Sequence, residues 1–163
     1  MMITRKTSKN EVFHLVEIKL VKKKRIQQFE NRIGSPSDAG NFFQSMISNK
    51  DREWLCAIGL DIKGYVNYLE VIHIGTLNQA LIHPREVFKS AIITNCNAII
   101  LAHNHPSGNV EPSDADRIAT KTLTDAGKLL GIEVLDHLIV SDHNYYSIKE
   151  NKTYYGGKNI NGV

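Results

Sequence analysis

The sequence has few residues that staple or stiffen a chain: among 163 residues there are two cysteines, four prolines and one tryptophan, and aromatic side chains make up 7%. Two cysteines cannot form a disulfide framework. Cys56 and Cys96 both sit in apolar surroundings and outside any C-x-x-C pair, so they are expected as reduced, buried thiols not placed to bind metal. No apolar run approaches the roughly 18 residues needed to span a bilayer. The polar start, Met1 to Asn10, lacks the apolar core of a signal peptide, which makes the cytoplasm the expected compartment. Charge is not strongly one-sided either, and a net +3 is too small to indicate a nucleic-acid binder by itself. Its distribution is uneven. Residues 1–25 carry eight basic side chains (Arg5, Lys6, Lys9, Lys19, Lys22, Lys23, Lys24, Arg25) against Glu11 and Glu17, so this segment is +6 and the remainder −3.

What is present, 42% hydrophobic and 23% charged residues, suits one soluble domain of ordinary size with a core of its own. Three segments are expected: a basic, strand-like extension over 1–34, a domain over 35–150 and a frayed tail over 151–163. The extension rests on the alternation of apolar and polar residues from Glu11 to Leu20, ended by Lys22-Lys23-Lys24-Arg25. Ser35-Pro36 opens a helix that buries Phe42, Phe43, Met46 and Ile47. Glu53 to Leu60 and Tyr65 to Ile74 read as a hairpin turning at Asp61 to Gly64. His83-Pro84-Arg85-Glu86 starts a second helix, with His83 as a helix-start residue. Ala98-Ile99-Ile100-Leu101-Ala102 is short, β-branched and unalternating, as a central strand covered on both faces should be. A long helix follows from Ser113 to Gly131, presenting Ala115, Ile118, Ala119, Leu123, Ala126 and Leu130 to the core. Ile132 to Val140 and Tyr145 to Ile148 complete the strands.

The chemistry gathers where the central strand ends. Side chains two apart on a strand share a face, so His103 and His105 converge if the extended geometry runs through Asn104. Asp116 lies in the first turn of the next helix, three and seven residues before Ala119 and Leu123, and should therefore face the sheet. Two imidazoles and a carboxylate leave one tetrahedral position for water, the arrangement of a catalytic zinc site. Each piece alone has a plainer reading: H-x-H as two polar loop residues, Ser113-x-x-Asp116 as a helix cap. His137 reads first as a structural histidine satisfied by its own hydrogen bonds, with a place facing the site as the alternative. His14, His73 and His143 show no partner spacing.

Taken together, His103-x-His105, seven residues, and Ser113-x-x-Asp116 match the signature H-x-H-x7-S-x-x-D. With A-H-N-H-P-S-G-N-x-E-P-S-x-A-D around it, H-P-R-E-V at 83–87 and L-D-H-L-I-V at 135–140, the chain resembles the JAMM (MPN-type) zinc metallohydrolases in their RadC-like bacterial branch, over roughly residues 35–150. The resemblance implies the JAB/MPN fold, an α/β (α+β) arrangement with a mixed, curved sheet packed between helices, related to the cytidine-deaminase fold. It also implies Zn²⁺ on His103, His105 and Asp116, and a general base at the head of an upstream strand, a place that Glu53 occupies. Glu70, Glu86 and Glu111 are rivals for that role that the sequence leaves open. Ser113, matching the motif serine, would donate to the oxyanion while capping its helix.

The activity so implied is amide cleavage, by a metallopeptidase or isopeptidase-like hydrolase acting on a peptide or isopeptide substrate. A zinc nucleobase deaminase is excluded, since H-x-E and a later P-C-x-x-C are absent. The alternative from another class is a DNA-repair-associated accessory module using the basic segment over 1–25. Longer RadC proteins add an N-terminal helix-hairpin-helix module, and residues 1–34 are too few and too strand-like for one, which weakens that alternative.

Overall fold

Each helix starts where the chain supplies a cap. Ser35 accepts a hydrogen bond from the Asp38 amide at the head of α1 (Pro36–Ile47), with Pro36 in the first turn. The His83 ring does the same for Arg85 at the head of α2 (Pro84–Ile93), as expected of a helix-start histidine. Ser113 caps α3 (Asp114–Leu130), which Gly131 closes in the left-handed conformation at φ 70°. The computed structural model describes residues 32–75 and 82–155, together with Glu17 and Val21. The strand expected over 11–20 (Glu17 apart), the basic run and the chain beyond Tyr155 lie outside the described residues.

Among the described residues six strands form one sheet in the order β2-β1-β3-β4-β5-β6: β1 (Trp54–Leu60), β2 (Val66–Ile74), β3 (Ala98–Asn104), β4 (Glu133–Val140), β5 (Asn144–Ser147) and β6 (Lys152–Tyr155). Of these six, β3 and β4 run parallel, joined through α3, and the other neighbouring pairs are antiparallel. The β1–β2 hairpin turns where the Asp61 carboxylate accepts from the amides of Lys63 and Tyr65 and Gly64 takes φ +84°. A Cβ on Gly64 would also meet the Ile33 carbonyl oxygen at 2.8 Å, so this turn requires glycine.

The sheet is covered on both faces. One face packs Cys56, Ile58, Ile100, Ala102 and Leu138 against Ala39, Phe43 and Ile47 of α1. The other packs Ala57, Ile99 and Leu101 against Val87, Phe88 and Ala91 of α2 and Leu123 of α3. All seven residues of β3 are buried, which is the environment its unalternating apolar sequence anticipates. Both cysteines are buried free thiols.

Two expectations need correction. Residues 152–155, assigned to a frayed tail, form β6: the chain turns back at Asn151 (φ 53°) and pairs with β5, stacking Tyr154 on Tyr145. The buried face of α3 also holds Asp116 and Leu123 as expected but not Ile118 and Leu130. Ile118 and Leu130 are 53% and 47% exposed, whereas Asp116, Leu123 and Gly127 are buried. Gly127 lets the helix approach the chain beyond it, because a Cβ there would lie 2.5 Å from the Ile132 carbonyl oxygen.

Candidate metal centre

The strand β3 carries two sets of side chains in alternation. Ile99 and Leu101 belong to the core under α2 and α3, so His103, two residues further on, points to the same face. α3 begins on that face. Its N-terminal end brings Asp116 onto the strand end, and His103, His105 and Asp116 each offer one ligand atom, all within 4.8 Å of one another. His103 and Asp116 are buried, and His105 is partly open.

His103 Nε2 lies 3.0 Å from His105 Nε2 and 3.3 Å from Asp116 Oδ1, while His105 Nε2 lies 3.9 Å from Asp116 Oδ2. Ligands about 2.0–2.1 Å from a tetrahedral zinc are separated by roughly 3.4 Å, so these three spacings bracket the edge of such a site. The state of His105 follows from its other nitrogen. Nδ1 is 2.6 Å from the Asn109 carbonyl oxygen, which can only accept, so Nδ1 carries a proton, and in the neutral tautomer so fixed the lone pair is at Nε2, on the cluster side. The loop is shaped for this contact: Pro106 follows His105, and the Gly108 amide bonds back to the His105 carbonyl with Gly108 at φ +78°.

Asp116 is held by the cap itself. Ser113 N and Ser113 Oγ both donate to Asp116 Oδ2, at 2.8 and 2.6 Å, and the Asp116 amide donates to Ser113 Oγ at 3.2 Å. This reciprocal box ties down Oδ2 and leaves Oδ1 directed at His103. The capping and ligand readings of Ser113-x-x-Asp116 therefore describe one arrangement. The Ser113 hydroxyl proton is engaged with the carboxylate.

Behind the candidate ligands lies His137 on β4. Its Nε2 is 2.8 Å from His103 Nδ1, and its Nδ1 is 2.6 Å from Thr120 Oγ1 on α3. Of the two expectations for His137, the less favoured one, a place facing the site, describes it: β4 pairs with β3 and sets His137 opposite Leu101, where it meets His103. Burial holds His103 well below the ordinary histidine range, with His137 and His105 pushing the same way. Burial likewise pushes His137 down to about 4; Asp116 opposes the shift and His105 adds to it. A cavity of about 390 Å³ between α3 and β4 is lined by Thr120 and His137 but by none of the three ligand residues.

Glu53 immediately precedes β1. In the β1–β3 register Leu55 faces His103, and continuing it by two residues sets Glu53 across from His105 on the same face. What holds this segment is a residue the sequence reading passed over. Asn104, between the two histidines and fully buried, accepts from the Trp54 amide at 2.8 Å and donates to the carbonyls of Lys50 and Arg52 at 3.3 and 3.0 Å. Its side-chain amide thus clamps the turn that carries Glu53 onto the strand that carries the ligands. The signal available in the sequence was its parity: the middle residue of H-x-H must face away from the ligands. Of the rival glutamates, Glu86 is engaged with Lys89 and Arg85 on α2, Glu70 sits across from Ala57 on the edge strand, and Glu111 is exposed in the loop before α3.

Comparison with known proteins fits this geometry. Residues 33–153 match the RadC-like JAB domain. The chain belongs to that family. Among curated relatives of this RadC-like JAB domain, the UPF0758 protein of Staphylococcus carnosus is 48% identical over 119 residues, covering 73% of this chain and 53% of the relative. The UPF0758 protein of Alkaliphilus metalliredigens is 50% identical over 119 residues, covering 73% and 51%, and that of Methanosarcina mazei 39% over 125 residues, covering 77% and 55%. The chain thus spans about half the length of the curated relatives it matches. In this RadC-like domain the His103, His105 and Asp116 cluster can hold a metal ion. Among the described residues no helix is long and apolar enough to cross a membrane.

Proposed function

We propose that the protein is a zinc-dependent hydrolase that cleaves amide bonds, in the manner of a metallopeptidase or isopeptidase. The observation that carries this reading is the convergence of two imidazole nitrogens and one carboxylate oxygen at near-tetrahedral spacings on a site that three protein groups do not fill. The donor set fits zinc: with its proton on Nδ1, a neutral His105 offers the Nε2 lone pair 3.9 Å from an Asp116 carboxylate oxygen, and a cation between them binds both. When bound, the ion supplies Lewis acidity, which lowers the pKa of a coordinated water towards about 7 and polarises a carbonyl.

The rest falls to the protein's own groups. Glu53, in the turn that Asn104 ties to the strand of His103, takes the proton of the attacking water on its carboxylate and returns it to the departing amine. Ser113, whose hydroxyl donates to Asp116, holds the carboxylate in place and, by rotating, can turn the same proton to the oxyanion.

The test is metal content of the purified wild type and of Asp116→Ala, followed by a peptide and isopeptide cleavage screen with zinc. Wild type should take up one zinc per chain and Asp116→Ala far less; Glu53→Gln should keep the metal and lose turnover. Zinc well below one per wild-type chain after supplementation overturns the reading, and retained turnover in Glu53→Gln removes that residue from the mechanism. A DNA-associated role rests on the +6 segment over residues 1–25. It calls for salt-dependent DNA binding that is lost with that segment, and no binding at low salt rejects it.

A further inference from the structure

The hydrogen-bond chain behind His103 runs through groups whose donor and acceptor roles can be settled one after another. Thr120 Oγ1 lies 2.6 Å from the Asp116 carbonyl oxygen and 2.6 Å from His137 Nδ1. The carbonyl only accepts, and a hydroxyl has a single proton, so Thr120 donates to Asp116 and has only lone pairs left for His137. His137 must then carry its proton on Nδ1. With Nδ1 protonated and the ring neutral, Nε2 is an acceptor, and the partner 2.8 Å away, His103 Nδ1, must donate to it. A proton on His103 Nδ1 leaves Nε2 bare, and Nε2 is the atom directed at His105 and Asp116.

We infer that Thr120 and His137 are positioning residues that fix His103 in the tautomer required of a metal ligand, by relaying the direction of one hydrogen bond from the α3 backbone to the cluster. The inference rests on the reading of His103 as a ligand. Metal-binding histidines generally donate their second N–H to a carboxylate, carbonyl or water, and here the acceptor is a second imidazole whose own tautomer is set by a helix hydroxyl. The relay begins and ends on one residue. It starts at the Asp116 carbonyl and finishes beside the Asp116 carboxylate, so the cap that orients the third ligand also anchors the chain that orients the first. The opposite chain, with His103 Nε2–H donating to Asp116 Oδ1 across 3.3 Å, would need Thr120 to release the Asp116 carbonyl and turn its proton to His137.

Long-range proton–nitrogen correlation of the ¹⁵N-histidine-labelled, chelator-treated full chain reads the tautomer directly, with neither metal nor substrate present. His103 and His137 should both appear protonated at Nδ1. In Thr120→Val the hydroxyl is lost at nearly constant shape. The His103 signal should then move towards a mixture of tautomers, and zinc affinity, measured by chelator competition, should fall by about 10–100-fold. Thr120→Ser, which keeps the hydroxyl, should restore both. A wild-type His103 protonated at Nε2 overturns the inference even if the valine variant fails to fold, and so does a folded Thr120→Val with unchanged tautomer and zinc affinity. A failed cleavage screen would count against the hydrolase reading alone, because the spectrum requires no turnover.

Discussion

Replacing Asn104 by alanine tests whether the strand end and the Glu53 turn are one mechanical unit. The substitution removes three hydrogen bonds, to the Trp54 amide and to the Lys50 and Arg52 carbonyls, from a side chain with no exposed surface. At a net ~1 kcal/mol each the loss is about 3 kcal/mol, and the orphaned groups set its range. The two carbonyls belong to a turn whose middle residues are exposed, so water can reach them, whereas the amide of half-buried Trp54 is less accessible. A destabilisation of about 2–4 kcal/mol follows, or roughly 10 °C in Tm for a chain of this size. Trp54 is the only tryptophan in the sequence and lies inside the clamped segment, so its fluorescence reports both the urea transition and the local environment in the native baseline. Native emission should change in Asn104→Ala before any denaturant is added. Asn104→Asp separates hydrogen bonding from volume: it keeps an acceptor for Trp54 but turns negative oxygens towards two carbonyls, and should be no milder than alanine. A loss below about 1 kcal/mol with unchanged native emission, or an aspartate variant close to wild type, would refute the clamp.

The pH dependence of the metal-free protein follows from His137. Its folded value of about 4 lies below its ordinary 6.5, so between those values the unfolded chain binds more protons than the folded one. Stability is complete above pH 6.5 and falls as the pH drops towards 4, by about 3 kcal/mol from this group, with His103 acting in the same direction. Urea titrations at pH 7 and 4.5 check this, and equal midpoints would contradict neutral burial of the two rings. Gly127→Ala should destabilise by about 1–3 kcal/mol although alanine favours helix, because its Cβ would sit 2.5 Å from the Ile132 carbonyl oxygen and 3.2 Å from Phe88; a stabilised variant in thermal melts would show that α3 can lift off the strand at no cost.

Helix starts were readable because a cap is local chemistry. Ser35-Pro36, His83-Pro84 and Ser113 act within three residues of themselves, and Gly131 closes α3 by a conformation that needs no partner. β3 was readable because burial on both faces removes alternation. The errors arose where tertiary structure decides. β6 has four residues of mixed polarity, held by pairing with β5 and the Tyr145–Tyr154 stack, contacts no local pattern announces. The expected face of α3 is right at Asp116 and Leu123 and wrong at Ile118 and Leu130, where apolar residue type alone marks the position. Asp116, Thr120, Leu123 and Gly127 fall at i, i+4, i+7 and i+11 and form the true inward stripe, with Ile118 about 200° round from Asp116. A hydroxyl bonded to His137 and a close-approach glycine occupy inward positions that no apolar residue type marks.

The candidate ligands were legible for a related reason, and their supports were not. His103 and His105 are linked by the strand period of two, and Ser113 and Asp116 by the capping spacing of three, so geometry written into a few consecutive residues brings each pair together. Their supports come from elsewhere in the chain or from the backbone: the carbonyls of Lys50 and Arg52, the carbonyl of Asn109, the ring of His137 on a neighbouring strand. The same periods give the intervening residue its role. In His103-Asn104-His105 the alternation that turns two imidazoles to the α3 face necessarily turns the middle side chain to the other, where a buried amide secures the Glu53 turn. In Ser113-x-x-Asp116 the hydroxyl that starts the helix also fixes which carboxylate oxygen stays available. Ser113→Ala therefore cannot remove a cap worth about 1 kcal/mol without also leaving Asp116 Oδ2 on the backbone amide alone, and loss of stability and loosening of the candidate ligand share one cause, the missing hydroxyl.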